Sequence, residues 1–141
     1  MSKLYLIIGI SGSGKTTKAK EIIETYKADG KEIKHFEADM FFEKDGEYIF
    51  NPEQLPAAHR WCRQQCMDAM KSGVDVIISN TSLTPLERRD YLFFAHKYNY
   101  EVEVITMTGN YENIHDVPKF RIDIQKNRFI PYSDEEFKSI K

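Results

Sequence analysis

The chain opens on an unbroken apolar run, KLYLIIG at 3–9, that passes straight into glycine. A strand with apolar side chains at consecutive positions is covered on both faces, as in a parallel sheet. VDVIIS at 74–79 has the same character, and EVEVITM at 101–107 alternates like a strand with one more exposed face. EIKHFEA at 32–38 is more polar and predicts a strand nearer a sheet edge. Between these runs the pattern turns helical. Residues 15–28 predict a helix stopped by Gly30. Asn51, Pro52 and Glu53 form a helix start, with a capping side chain, a first-turn proline and an acid near the positive end; that helix runs to Ser72 and stops at Gly73. Thr84 and Pro85 open another across 84–98. DGEYIF at 45–50 is a turn and a short extended piece, and the charged tail has helix-like patches at 116–127 and 133–140. Alternating strands and helices with short connections predict an α/β layer sandwich around a parallel sheet, with helices on both faces.

Composition narrows the partners. The 141 residues suit one domain spanning 1–141, and the net charge is −2 from 20 basic and 22 acidic residues. That balance argues against passive coating of nucleic acid, while leaving room for an enzyme that holds a polyanion in a local groove. Cys62 and Cys66, four apart, fit one helical face, where the geometry disfavours a disulfide. With His59 they share that face but lack a fourth ligand for zinc, so buried thiols are expected. No apolar run approaches the ~18 residues of a membrane span, and the N-terminus lacks a signal-peptide pattern. The expectation is a cytoplasmic protein without a membrane partner.

The candidate chemistry starts at GISGSGKT, residues 9–16, between a strand and a helix. It fits the phosphate-loop pattern G-x-x-x-x-G-K-[ST] at every fixed position. Gly9, Gly12 and Gly14 permit unusual dihedrals and keep side chains away from the phosphates. The amides of this loop, through Ser11, Ser13 and on to Thr17, form an anion nest at a helix N-terminus. Lys15 reaches the β- and γ-phosphates, and the Thr16 hydroxyl coordinates Mg²⁺. ATP and Mg²⁺ are the expected cofactors. The fold expectation sharpens to a P-loop NTPase three-layer α/β/α sandwich with four or five parallel strands. Small size, the absence of N-K-x-D and the absence of an arginine-finger segment favour a kinase.

A kinase needs a group at the acceptor hydroxyl, beyond the carboxyl end of a strand. Asp39 directly follows EIKHFEA and is the candidate base. SNTS at 79–82 ends another strand and offers Asn80 and Thr81, but no acid. Metal binding therefore leans on Thr16 and the nucleotide, helped by Asp39. Arg88 and Arg89 can meet a phosphate or occupy an exposed face beside Glu87 and Asp90. His59, Arg60 and Arg63 can line an acceptor groove or a solvated face. Phe41 and Phe42 can stack on a base or pack in the core.

Together these residues resemble the 5′-kinase domain of bacteriophage-type polynucleotide kinases. GISGSGKTTKAKEII, EADMFF, residues 76–103 and KNRFIPYSDEEFKSIK carry the likeness, which covers nearly the whole chain. Tyr48, Phe50, Leu55, Ala58, His59 and Trp61 also resemble the pattern of stand-alone kinases, and no phosphatase signature D-x-D-G-T occurs. The resemblance implies ATP and Mg²⁺ at Lys15 and Thr16, Asp39 as general base, and Thr81 with Asn80 at the acceptor. It also implies a lid at about 110–132, whose cation is Arg128, Lys126 or Arg121, and a host's cytoplasm if the chain is phage-encoded. The chain departs from the family at Asn80, where an acid is common, and at Phe42, where an arginine holds the acceptor. The implied reaction is transfer of the γ-phosphoryl of ATP to a 5′-hydroxyl of a nucleic acid or nucleotide. A small-molecule nucleoside or nucleotide kinase and a nucleotide-binding regulatory module are the alternatives.

Overall fold

The computed structural model describes residues 1–109 and 119–140. The chain runs β1 (Lys3–Ile8), α1 (Lys15–Ala28), β2 (Ile33–Phe36), a 3-10 turn (Ala38–Phe42), β3 (Glu43–Lys44) and β4 (Glu47–Tyr48). A second 3-10 turn (Pro52–Gln54) leads into α2 (Leu55–Lys71), then β5 (Asp75–Ile78), α3 (Pro85–Lys97), β6 (Glu101–Thr106), α4 (Lys119–Arg128) and α5 (Asp134–Lys138). Four strands lie in the order β2-β5-β1-β6, all parallel, with β1 paired to β5 and β6 on its two sides. The expected sheet therefore has four strands. β2 and β6 are its edges, which accounts for their more polar sequences.

Alternation along β1 divides the core. Leu4, Leu6 and Ile8 join Val76 and Ile78 under α2 and α3, which contribute Ala58, Cys62, Cys66, Tyr91, Leu92 and Ala95. Ile7 and Ile77 point the other way, toward Ala19 with Ile22 and Ile23 of α1. Each fully buried leucine or isoleucine contributes about 1.5–3 kcal/mol of transfer free energy, so the central strands anchor both layers. Cys62 and Cys66 are buried free thiols on α2, and burial pushes both thiols up from their ordinary pKa.

Two boundaries differ from expectation. The 32–38 strand stops at Phe36, and the backbone then tightens into the 3-10 turn carrying Asp39. Asn51 does cap, its Oδ1 accepting from the Glu53 N–H at 3.0 Å, but it caps the short 3-10 turn ahead of α2. Thr84 caps α3 through the Glu87 N–H at 3.3 Å. The tail patches become α4 and α5. Residues 116–118 of the first patch, and 110–118 of the expected lid, lie outside the described residues. No helix among the described residues is long and apolar enough to cross a membrane.

Candidate active site

Gly9 leaves the end of β1 and donates its N–H to the Thr81 carbonyl at 3.0 Å, tying the phosphate loop to the end of the neighbouring strand. Its φ is +152°, and a Cβ there would lie 2.6 Å from Ser13 Oγ and 2.7 Å from the Met107 carbonyl. Only glycine fits that approach. Gly14 is the N-cap of α1 in a left-handed conformation, φ 98°, which turns the following amides toward the loop. The Ser13 hydroxyl is fully buried without a hydrogen-bond partner among the described residues. A buried hydroxyl normally finds a partner, so this one marks a place for a polar ligand. Lys15 Nζ donates to the Ile10 carbonyl at 2.8 Å. Burial brings its pKa down to about 8, against the opposing pull of Glu37 and Asp39. A desolvated cation, an orphaned hydroxyl and a helix N-terminus together make a donor set suited to phosphate oxygens. Thr16 is half-buried and Thr17 exposed at the first turn of α1.

No group of three or more His, Cys, Asp or Glu side chains among the described residues could hold a metal ion by itself. The hydroxyl of Thr16 and the carboxylate of Asp39 instead suit an ion that takes most of its oxygens from a nucleotide and water, as Mg²⁺ does.

Asp39 is exposed in its 3-10 turn, and the Tyr48 hydroxyl donates to its Oδ1 at 3.4 Å. Glu37, two residues earlier, accepts from the Ser79 hydroxyl at 2.8 Å, and that hydroxyl lies 2.6 Å from His35 Nε2. Burial and nearby Lys20 hold the imidazole down to about 4, so it stays neutral near pH 7. Asn80, expected at the acceptor, also has partners within the protein. Its Oδ1 accepts from the Ala38 N–H at 2.8 Å, and its Nδ2 points at Cys62 Sγ (3.6 Å) and the Tyr91 hydroxyl (3.4 Å). It thus fixes the backbone next to Asp39.

A cleft of about 310 Å³ opens beside this turn, lined by His59, Arg63, Asn80, Thr81, Glu87 and Arg128, among others. Arg63 pairs with Asp90 at 3.5 Å, and Arg128 with Glu87. His59 and Arg63 therefore line the groove, whereas Arg60 is exposed.

Two expected substrate contacts are corrected. Arg88 is fully buried, its guanidinium donating to the carbonyls of Ser82 (3.2 Å), Leu83 (3.3 Å) and Ile130 (2.9 Å) and facing Glu136 at 3.3 Å. Its donors are consumed by the protein, so it pins the turn at 82–83 to the tail instead of meeting a phosphate. Phe42 is 3% exposed and packs against Phe41, Tyr48 and Phe50, out of reach of a stacking base.

The three candidate lid cations lie on α4 but face different places. Arg128 lines the larger cleft, Lys126 lines a smaller pocket of about 160 Å³ with Gly9, Ile10 and Met107, and Arg121 is exposed. Sequence reasoning missed Gln125, which accepts from the Ser11 N–H at 2.7 Å and donates to its hydroxyl at 3.0 Å. Those partners lie 114 residues apart, and nothing local in the sequence joins them.

Comparison with known proteins places this geometry. An uncharacterized protein of Pasteurella multocida is 29% identical over 126 residues, covering 83% of this chain and 70% of that protein. Human NEDD4-binding protein 2 is 30% identical over 100 residues, which are 70% of this chain but 5% of that protein. The solved Pnkp1/Rnl/Hen1 RNA repair complex has a chain matching with a TM-score of 0.59 at 16% identity, over 98% of this chain and 42% of that one. The APS kinase CysC of Mycobacterium tuberculosis, with AMPPNP and APS, matches with a TM-score of 0.59 at 15% identity, over 74% of this chain and 61% of that one. A gluconokinase from Sinorhizobium meliloti matches at 0.59 and 15%, over 92% and 75%. At such identities the likeness is one of fold, a P-loop kinase-like α/β domain. The family model described as an AAA domain matches residues 4–115. With most of its length inside that match, the protein belongs to the AAA domain family and has a P-loop kinase-like fold.

Proposed function

We propose that the protein transfers the γ-phosphoryl of ATP to a 5′-hydroxyl of a nucleic acid. The observation that carries the proposal is that the charge of Asp39 acts both on Lys15 of the phosphate loop and on His59, which lines the cleft holding Thr81, Arg63 and Arg128. The loop amides, the Ser13 hydroxyl and Lys15 hold the β- and γ-phosphates. Asp39 accepts the proton of the acceptor hydroxyl as its oxygen bonds to the γ-phosphorus and the bond to the leaving ADP oxygen breaks. Arg128, released from Glu87, turns toward the transferring group and offsets its charge. Mg²⁺, held by Thr16 and Asp39 with the nucleotide, would supply further charge neutralisation. One neighbour in fold belongs to an RNA repair complex, which agrees with a nucleic-acid acceptor.

A small-molecule nucleoside or nucleotide kinase is the second reading. The carboxylates already beside both cleft arginines favour it, because Asp90 and Glu87 offset the charge a polyanion would seek. Other neighbours in fold are an APS kinase and a gluconokinase. Incubation with γ-labelled ATP, Mg²⁺ and either 5′-hydroxyl oligonucleotides or nucleosides separates the two. Label on the oligonucleotide supports the first reading, and label on small molecules alone replaces it with the second. Nucleotide binding without transfer to any acceptor refutes both. Asp39→Asn should slow transfer by about 10²–10⁴-fold while nucleotide affinity stays within a few-fold. An unchanged rate removes Asp39 from the chemistry.

A further inference from the structure

Beside Asp39 the antiparallel β3–β4 hairpin and the residues after it leave apolar side chains in solvent. Tyr48 is 53% exposed, Ile49 62% and Phe50 44%. The rings of Tyr48 and Phe50 are nearly parallel, 10° apart with centroids at 6.5 Å. They are also braced. Phe42 meets Phe50 edge-on at 5.1 Å and Tyr48 at 6.3 Å, and its carbonyl accepts the Ile49 N–H at 3.0 Å. Exposed parallel rings braced by a buried one form a pre-organised aromatic surface, which loses little entropy when another ring stacks on it.

Charge restricts what that ring can be. The hairpin carries Glu43, Asp45 and Glu47 against the single Lys44, so the patch lies in an acidic field that repels phosphate. Its apolar faces fit an uncharged aromatic group. Position restricts it further. The Tyr48 hydroxyl is 3.4 Å from the Asp39 carboxylate, so the platform begins beside the group that takes the acceptor proton. A 5′-hydroxyl at Asp39 places the base of the same nucleoside within reach of these rings.

We propose that Tyr48 and Phe50 form a stacking platform for the 5′-terminal nucleobase of a single-stranded acceptor. The proposal rests on the kinase reading above and adds where the acceptor's first base sits. It also relocates the stacking expected of Phe42, which acts as the support beneath the platform. The acidic rim gives the platform a second property: it favours a 5′-hydroxyl end over a 5′-phosphorylated one, and so substrate over product.

The test is fluorescence anisotropy of a 3′-labelled oligonucleotide with a 5′-hydroxyl and of its twin lacking the 5′-terminal base. Both are titrated with the full chain in the presence of a non-hydrolysable ATP analogue. Base–aromatic stacking predicts that the wild-type protein binds the abasic twin about ten-fold or more weakly. In Tyr48→Leu/Phe50→Leu, where leucines keep contact with Phe42, the two oligonucleotides should bind alike. Equal binding of the twins by wild type overturns the platform, and that result does not depend on any variant folding. Retained discrimination in the double variant overturns it as well. The same oligonucleotides offered with γ-labelled ATP test the kinase reading separately. Base-dependent binding without label keeps the platform and removes the phosphotransfer, whereas label without base dependence does the reverse.

Discussion

Replacing Arg88 with methionine should be the most destabilising single change in the tail-to-turn contact. The guanidinium is wholly buried and donates to the carbonyls of Ser82, Leu83 and Ile130 while facing Glu136, whose side chain is 15% exposed. Methionine keeps much of the length and none of the donors. It leaves a carboxylate without its cation and carbonyls without one of their partners. Removing one member of a buried ion pair costs about 3–5 kcal/mol. Relief comes in part from the desolvation that already lowers the pKa of Arg88, so the lower end of that range is the expectation. With an unfolding entropy of about 2.1 cal/mol/K per residue over 141 residues, 3 kcal/mol corresponds to a fall in Tm of about 10 °C. Urea unfolding followed by circular dichroism measures it, with an unchanged m-value as the control for a two-state comparison. Arg88→Lys should lose most of the same stability, because an ammonium cannot span three carbonyls. Glu136→Gln leaves the buried guanidinium without its counter-charge but keeps an acceptor, so it should cost less than Arg88→Met, and combining the two should cost less than their sum. A loss below about 1 kcal/mol for Arg88→Met would refute the structural role and return Arg88 to the list of surface cations.

Three further outcomes follow from the site. Lys15→Met should weaken ATP binding by about 10–100-fold, the loss of a charge-assisted contact, while the Tm without nucleotide holds or rises because a desolvated ammonium has gone; calorimetry and thermal melting read the two effects. Burial holds His35 near 4 against an unfolded value of about 6.5, so the unfolded chain binds more protons within that window. Stability should therefore fall as pH drops from about 6.5 toward 4, by about 2 kcal/mol at pH 5, and His35→Gln should flatten that part of the profile. Gln125→Ala removes two hydrogen bonds between α4 and Ser11, at 2.7 and 3.0 Å, and should speed amide exchange across residues 119–128 by about ten-fold; unchanged protection would mean that the contact does not hold the helix.

The sequence made the sheet and the phosphate loop legible because both are written locally. KLYLIIG declares a doubly covered strand, and the loop's glycines, lysine and threonine are contiguous. The cleft was less legible, for one recurring reason. A charged helix residue reads as solvated unless its partners are visible, and the partners of Arg88 are mostly backbone carbonyls, one of them 42 residues away. Gln125 is hidden in the same way, since its partner is an amide on the opposite end of the chain. Phe42 could be read as platform or as core. Only the folded hairpin decides it, by setting Tyr48 and Phe50 outside and Phe42 beneath them.

Asn80 shows how the site's charge is distributed. The end of β5 lies next to the phosphate loop and is a natural place for an acid. Here the side chain at 80 must both accept from the Ala38 N–H and donate toward Cys62 and Tyr91. An ionised carboxylate can accept but cannot donate, and next to a buried thiol and phenol it would be poorly solvated. The amide meets both demands. Negative charge is supplied instead from the neighbouring strand's exit, by Glu37 and Asp39, and both act on Lys15. Asn80 holds the backbone N–H of Ala38, one residue from Asp39, so the amide just past β5 positions a carboxylate it does not itself provide. Its exchange for aspartate would keep an acceptor for the Ala38 N–H but lose the donor toward Cys62 and Tyr91, and would set a poorly solvated charge against that buried thiol and phenol.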